Sequence, residues 1–143
     1  METNPLPQGM HELRNAYLHL IVDEGARLLY SEWVRRPSRE EYREAATIFA
    51  GYLRDSGIAF WIQDTGRLGE VPVEDLKVVL NELVPVAASS CLRKVARITS
   101  DEKNMATFLE LARQEKARLS ADIEVQQFKT YREAAEWVWS DRL

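Results

Sequence analysis

The residues best placed for chemistry form a short polar loop, Asp64-Thr65-Gly66-Arg67. The loop follows Ile58–Ile62, a continuous apolar run typical of a central strand. A helix is predicted to begin near Pro72. Ligands of open α/β sheets bind outside the carboxyl ends of strands, and free N–H groups at a helix start can receive an anion. The loop therefore predicts a binding site, and the alternative is a plain turn shaped by Asp64 and Gly66.

An acidic segment follows the loop and extends through residue 82. Its acidic side chains outnumber Arg67 and Lys77, and they are Asp64, Glu70, Glu74, Asp75 and Glu82. Their charge favours a protein partner bound around residues 64–82, with Glu70 and Glu74 at its centre. The alternative is that acidic residues in a first helical turn only stabilise the helix.

Aromatic residues of two predicted strands suggest a second kind of site. Trp33 and Trp61, with Tyr30 and Phe60 nearby, would line a cavity for an apolar ligand if their strands are adjacent. The alternative is that they belong to a filled core, which is the commoner fate of aromatic residues in sheets.

No spacing in the chain indicates a catalytic or metal site. His11 and His19 have no second histidine or carboxylate cluster at metal-ligand spacing, and Cys91 is expected to be a small buried thiol. The basic residues of 91–118 are expected to form a solvated face, and they include Arg93, Lys94 and Arg97. Because nucleophile, base and metal ligands form no recognisable set, we expect a protein that is not an enzyme and needs no cofactor.

Composition sets the class of protein. The chain has 143 residues, of which 45% are hydrophobic and 29% charged, with a net charge of −4 and a single cysteine. These values predict one globular domain, argue against nucleic-acid binding and are typical of a reducing compartment. No signal peptide and no run of 18 apolar residues is present, so we expect a cytoplasmic protein without a membrane span.

Periodicity predicts the element order β-β-α-β-α-β-α-β-α. Residues 1–15 are expected to be a flexible arm, with a short helical turn at Met10–Arg14, and residues 16–143 to be a single domain. The strands are Tyr17–Val22, Leu28–Val34, Ile58–Ile62, Leu92–Thr99 and a run that opens at Ile123. Helix starts are marked by capping boxes at Ser38 and Thr130, by Ser100 and by Pro72, and Pro85 should end or kink its helix. The prediction is an α/β fold with a mixed five-stranded sheet, an N-terminal antiparallel hairpin and four helices.

Three stretches of this order resemble the STAS domain, the fold of bacterial anti-sigma-factor antagonists, and its SEC14-like bacterial relatives. Leu28–Trp33 (LLYSEW) is similar to their second strand, and Phe60–Asp64 (FWIQD) to their third. Phe128–Trp137 (FKTYREAAEW) resembles their closing helix. The resemblance implies a regulatory module that binds a protein partner, and the lipid-binding SEC14 proteins imply the apolar cavity as the alternative.

The resemblance fails at the phosphorylated serine of the antagonists. Residues 68–75, where that serine would lie, contain no serine or threonine, and Thr65 lies several residues too early. We therefore expect a non-enzymatic STAS-like module that binds its partner by charge and shape, whether as a monomer or as a homodimer. The alternative is a module for a small apolar or anionic ligand.

Overall fold

The computed structural model describes residues 8–99, 102–119 and 122–140. These residues form six strands and four helices along the chain. Their bounds are β1 Met10–Arg14, β2 Leu18–Asp23, β3 Leu28–Trp33, α1 Arg39–Asp55, β4 Phe60–Asp64, α2 Val73–Ala88, β5 Lys94–Ile98, α3 Glu102–Leu119, β6 Glu124–Phe128 and α4 Tyr131–Val138.

The six strands form one mixed sheet in which spatial order follows chain order, β1 to β6. β1, β2 and β3 are antiparallel neighbours, whereas β3, β4, β5 and β6 are parallel. Each parallel pair is joined through one helix, as right-handed crossovers require. The α/β class, the antiparallel hairpin, the parallel strands and the four helices are thus confirmed.

The sheet has six strands, so the prediction of five is wrong. Met10–Arg14 forms β1, where the sequence suggested a helical turn in a flexible arm. Its backbone pairs with β2, with Leu13 opposite Leu20, and the Glu24 N–H donates to the Gly9 carbonyl at 2.8 Å. The strand has few apolar side chains, so its pairing with β2 decides its conformation more than its own pattern does. Residues 1–7 lie outside the described residues.

The two faces of the sheet differ in their cover. The helix-covered face carries Leu29, Ser31 and Trp33 of β3 and packs against α1, α2 and α3. The open face carries the alternate residues, and α4 covers it mainly over β4, β5 and β6. Ala134 and Val138 of α4 have no solvent exposure and fix this helix against the sheet.

Local chemistry explains most helix ends. Ser38 accepts a hydrogen bond from the Glu41 N–H at 3.1 Å, and the Glu41 carboxylate accepts one from the Ser38 N–H at 2.9 Å, which is the predicted capping box. The Thr130 side chain also accepts from the Glu133 N–H, but the Glu133 carboxylate accepts from the Thr130 hydroxyl instead of the Thr130 N–H, so the box predicted there is incomplete. Pro85 does not end α2, which continues to Ala88, so Pro85 lies within its last turn.

Two further expectations concern single positions. Cys91 is exposed in the turn after α2, so the prediction of a buried thiol is wrong. The predicted cap Ser100 lies outside the described residues.

Candidate functional site

A row of polar side chains crosses the helix-covered face beneath the helices. Ser31 of β3 is paired with Gln63 of β4, and Gln63 is paired with Arg97 of β5. Strand pairing therefore places three polar side chains side by side in an otherwise apolar layer. Ser31 accepts a hydrogen bond from the indole Nε1 of Trp61 at 2.9 Å, so the Ser31 end of the row is satisfied.

Arg97 is the unusual member of the row, because its guanidinium is buried and has no carboxylate partner in the part of the chain that the structure describes. The residue is 8% exposed. Within the described residues its side chain makes one hydrogen bond, from Nη1 to Gln63 Oε1 at 2.5 Å, and the buried Nε has no acceptor. The guanidinium carbon lies 3.8 Å from the centre of the Phe108 ring. Burial lowers the pKa of Arg97 to about 10, which leaves the side chain charged at neutral pH.

The Arg97 side chain lines an internal cavity of about 90 Å³ between the sheet and α1, α2 and α3. By this measure one water needs about 10–15 Å³, so the space exceeds the ordinary gaps of a packed core. Leaving such a volume empty costs about 2 kcal/mol at about 24 cal/mol per Å³. Most lining side chains are aliphatic or aromatic, and no acidic side chain is among the lining residues that the structure describes.

Trp33 and Trp61 both line this cavity, as the sequence suggested for an aromatic site. Phe49 of α1 lies between them, with its ring centre 6.2 Å from that of Trp33 and 4.7 Å from that of Trp61. Tyr30 and Phe60 do not take part, because strand alternation places them on the open face, where they contact Tyr131 and Trp139.

A surface depression of about 180 Å³ adjoins the cavity at the carboxyl end of the parallel strands. Tyr42 and Leu68 line both spaces and form the wall between them. Arg97 and Tyr42 both line the cavity, and burial raises the pKa of the Tyr42 hydroxyl while the charge of Arg97 opposes that rise. The depression is also lined by Arg36 and Arg39 and by the acidic Glu70 and Asp75, so its surface is mixed in charge.

The loop at residues 64–67 uses its polar groups within the fold. Asp64 Oδ1 accepts from the Gly66 N–H at 2.9 Å, which is the turn that the alternative interpretation described. Thr65 is buried, and its hydroxyl donates to the Ile98 carbonyl at 2.9 Å. Arg67 Nη1 donates to the Val34 carbonyl at 3.3 Å at the surface. The loop thus shapes the edge of the sheet beside the depression.

The acidic surface predicted around residues 64–82 is smaller than its sequence suggests. Glu70 and Glu74 are exposed, but Asp75 is 1% exposed and bound by two arginines of α1. Arg39 donates to Asp75 through Nε at 2.8 Å and Nη2 at 3.1 Å, and Arg43 donates at 2.8 Å. Hydrogen bonds from Arg39 lower the pKa of Asp75 and outweigh the opposite effect of burial. Asp75 therefore joins α1 to α2.

Arg97 does not lie on a solvated basic face, so that prediction from the sequence is wrong. Arg93 is exposed, but Lys94 and Arg97 belong to β5, whose residues are all buried. Lys94 reaches the open face, where its Nζ donates to the Trp137 carbonyl at 2.9 Å. A charged residue between Ala96 and Ile98 in an apolar strand was the signal that could have identified the site.

The open face carries a separate polar cluster centred on His19. Its Nε2 lies 2.7 Å from Glu12 of β1, and its Nδ1 lies 3.0 Å from Glu32 of β3. Burial alone would lower the pKa of His19, but the hydrogen bonds to the two carboxylates outweigh it and raise that pKa. When the imidazole is protonated, it donates to both carboxylates and ties three antiparallel strands together.

Two other kinds of site are absent from the part of the chain that the structure describes. Within the described residues no group of histidine, cysteine, aspartate and glutamate side chains could hold a metal ion. No helix in the same residues is long and apolar enough to span a membrane.

Comparison with family models, curated proteins and solved structures finds no match for the chain.

Proposed function

We propose that the protein is a non-enzymatic module that binds a small, largely apolar molecule in the cavity beneath its three helices. The observation that carries the proposal is the cavity itself, about 90 Å³ between Trp33, Trp61 and Phe49 on one side and α2 and α3 on the other. Small-molecule sites are concave, mostly apolar and supplied with a few polar groups, and this cavity has that composition. The SEC14-like resemblance supports the same class of ligand.

Position also supports the proposal. The depression outside Tyr42 and Leu68 lies where β3 and β4 end and α1 and α2 begin. Ligands of open α/β sheets bind at this edge, beyond the carboxyl ends of the strands. A ligand would pass from the depression to the cavity if Tyr42 and Leu68 moved apart.

The exposed Cys91 forms no disulfide, which fits the cytoplasmic location that we propose for the protein.

The test is ligand binding by a protein whose cavity has been filled. Ala112 of α3 is buried and lines the cavity, so Ala112→Leu adds three carbon atoms to that space. Ala106 lies on the same helix with its side chain exposed, and Ala106→Leu is the matched control. Octan-1-ol serves as the apolar probe, and tryptophan fluorescence reports binding because two tryptophans line the cavity.

Wild type and Ala106→Leu should bind the alcohol with equal affinity, and Ala112→Leu should bind it at least tenfold more weakly. Native mass spectrometry of freshly purified wild type adds two readouts, a retained molecule and the subunit count, which also tests the homodimer. Equal binding by all three proteins would place the alcohol outside the cavity and refute the proposal.

A protein partner at residues 64–82 is the second candidate, and one observation favours it. Val73 and Val78, two of the three large apolar side chains exposed within the described residues, both lie on α2 beside Glu70 and Glu74. Exposed apolar side chains bordered by charge are typical of protein contacts. Thr65 is unsuited to a phosphorylation switch because its hydroxyl is buried.

This second candidate predicts a defect in association. Lysine at both Glu70 and Glu74 should slow association with a partner isolated from the native host, and the difference from wild type should shrink at high salt. Lysine at Glu40 and Asp55, exposed on α1, makes the same change of charge at another surface. An equal defect in both double variants would show a general charge effect and exclude this surface.

A further inference from the structure

We infer that the cavity takes an apolar carboxylic acid, whose carboxylate pairs with the guanidinium of Arg97 while its hydrocarbon body lies among the aromatic side chains. The inference rests on the proposed function and names the class of ligand for the same cavity. It follows from three observations: the unpaired charge of Arg97, the hydrogen-bonding groups left around it, and the apolar lining of the remaining space.

The charge of Arg97 has no counterion in the described fold. Every other arginine that contacts a carboxylate there is itself exposed, whereas the buried Arg97 bonds only the neutral Gln63 oxygen. Buried charges in proteins are paired or bind ligands, because an isolated ion loses its hydration without compensation. No acidic side chain is among the described residues that line the cavity, and a bound anionic molecule would supply the negative charge that Arg97 lacks there.

The free donors of Arg97 match a carboxylate. Nη1 donates to Gln63, and the Phe108 ring covers one face of the guanidinium. The buried Nε has no acceptor. A planar guanidinium binds the two oxygens of a carboxylate through parallel N–H donors. A single cation also balances a single negative charge, so a carboxylate is favoured over a phosphate dianion.

The rest of the cavity specifies an apolar body. Beyond the row of Ser31, Gln63 and Arg97, its walls come from hydrophobic side chains of α2, α3 and the strands, and they include Val79, Leu80, Val84, Phe108, Ile123 and Val125. A free inorganic anion would satisfy Arg97 but leave these walls without contacts. An acid with a short hydrocarbon chain or ring would satisfy both ends of the cavity.

The test compares probes that differ only at the polar end. Octanoate and octan-1-ol are titrated against the full chain at pH 7.5, with tryptophan fluorescence and calorimetry as readouts, and sodium phosphate serves as an inorganic anion. Three proteins are used: wild type, Arg97→Met, which keeps a stem of similar length, and Arg93→Met, which removes an equal charge from an exposed position nearby.

Wild type and Arg93→Met should bind octanoate at least tenfold more tightly than octan-1-ol, because hydrogen bonds between ions are the strong ones. Arg97→Met should bind the two probes equally and keep its affinity for the alcohol. Phosphate should compete with octanoate only weakly.

Each contrary result has a distinct meaning. If wild type binds the alcohol as tightly as octanoate, the assignment to Arg97 is overturned while the cavity remains a ligand site. If phosphate binds as tightly as octanoate, the site takes an inorganic anion and the apolar acid is excluded. If wild type binds neither organic probe, the proposed function itself fails. The wild-type comparison stands even if Arg97→Met does not fold.

Discussion

Replacing Arg97 with methionine should stabilise the protein in the absence of ligand. The guanidinium is buried and charged, and burial lowers its pKa from the ordinary value to about 10. One pKa unit is worth about 1.4 kcal/mol, so this lowering of the pKa corresponds to a penalty of about 3 kcal/mol against the charged form of Arg97. Methionine removes that penalty and keeps an apolar stem against Phe108.

The substitution also removes two favourable interactions of the guanidinium, which offsets part of the gain. One is the hydrogen bond to Gln63, whose half-buried amide can turn to other partners or water. The other is the stacking of the guanidinium on the Phe108 ring. Each is worth about 0.5–2 kcal/mol, so we expect the free energy of unfolding to rise by about 1 kcal/mol. Replacement of buried ionic groups by apolar ones stabilises other proteins by about 1–4 kcal/mol.

The assay is urea unfolding of wild type, Arg97→Met and the control Arg93→Met at pH 7.5, followed by circular dichroism so that altered tryptophan fluorescence does not interfere. The pH dependence of this effect also has a definite direction, because a base whose folded pKa is lowered destabilises the fold at all pH values below that pKa. The penalty is relieved as pH rises above about 10, so the advantage of methionine should be full at neutral pH. A loss of more than about 1 kcal/mol in Arg97→Met, with Arg93→Met unchanged, would show that Arg97 is satisfied within the fold and would refute the reasoning.

Three further outcomes are expected. Phe108→Ala should cost about 2–5 kcal/mol in urea unfolding and Glu40→Ala almost nothing, because Phe108 is 9% exposed and Glu40 is exposed on α1; equal effects would contradict the assigned helix faces. Asp75→Asn should lower the thermal midpoint at pH 7, and the stability that Asp75 supplies should be present above its unfolded pKa and lost as pH falls through its lowered folded pKa. His19→Gln should destabilise the protein most at pH 6 and least at pH 9 in a series of urea unfolding experiments. The raised pKa of His19 gives stability that is full below about pH 6.5 and is lost as pH rises through the folded pKa. A defect that does not vary with pH would assign His19 a packing role.

The sequence predicted those parts of the fold that depend on local pattern. The apolar run at Ile58–Ile62 is buried as expected, although β4 begins at Phe60. The capping box at Ser38 needs only residues three positions apart, and it is present. β1 was missed because its conformation depends on pairing with β2, which a short polar pattern does not reveal.

The candidate site was predicted only in part, because some of its residues follow from local pattern and others depend on how distant elements pack. Trp33 and Trp61 line the cavity because both occupy the helix-covered side of adjacent strands, which strand alternation could suggest. Arg97 was assigned to a solvated face because its neighbours in sequence include other basic residues. Its burial depends on α3, which packs over β5 through Phe108, and no local pattern states which helix covers which strand.

Two costs to stability coincide in this protein, and a single ligand would remove both. A cavity of this volume costs about 2 kcal/mol when nothing fills it, and the unpaired guanidinium of Arg97 costs about 3 kcal/mol more. Both lie between α3 and the sheet, next to the wall formed by Tyr42 and Leu68. An acid present at about a hundred times its dissociation constant would stabilise the fold by about 2.7 kcal/mol. Octanoate at that level should therefore raise the unfolding free energy of wild type by this amount and of Ala112→Leu by far less. An equal rise in both proteins would mean that octanoate acts outside the cavity.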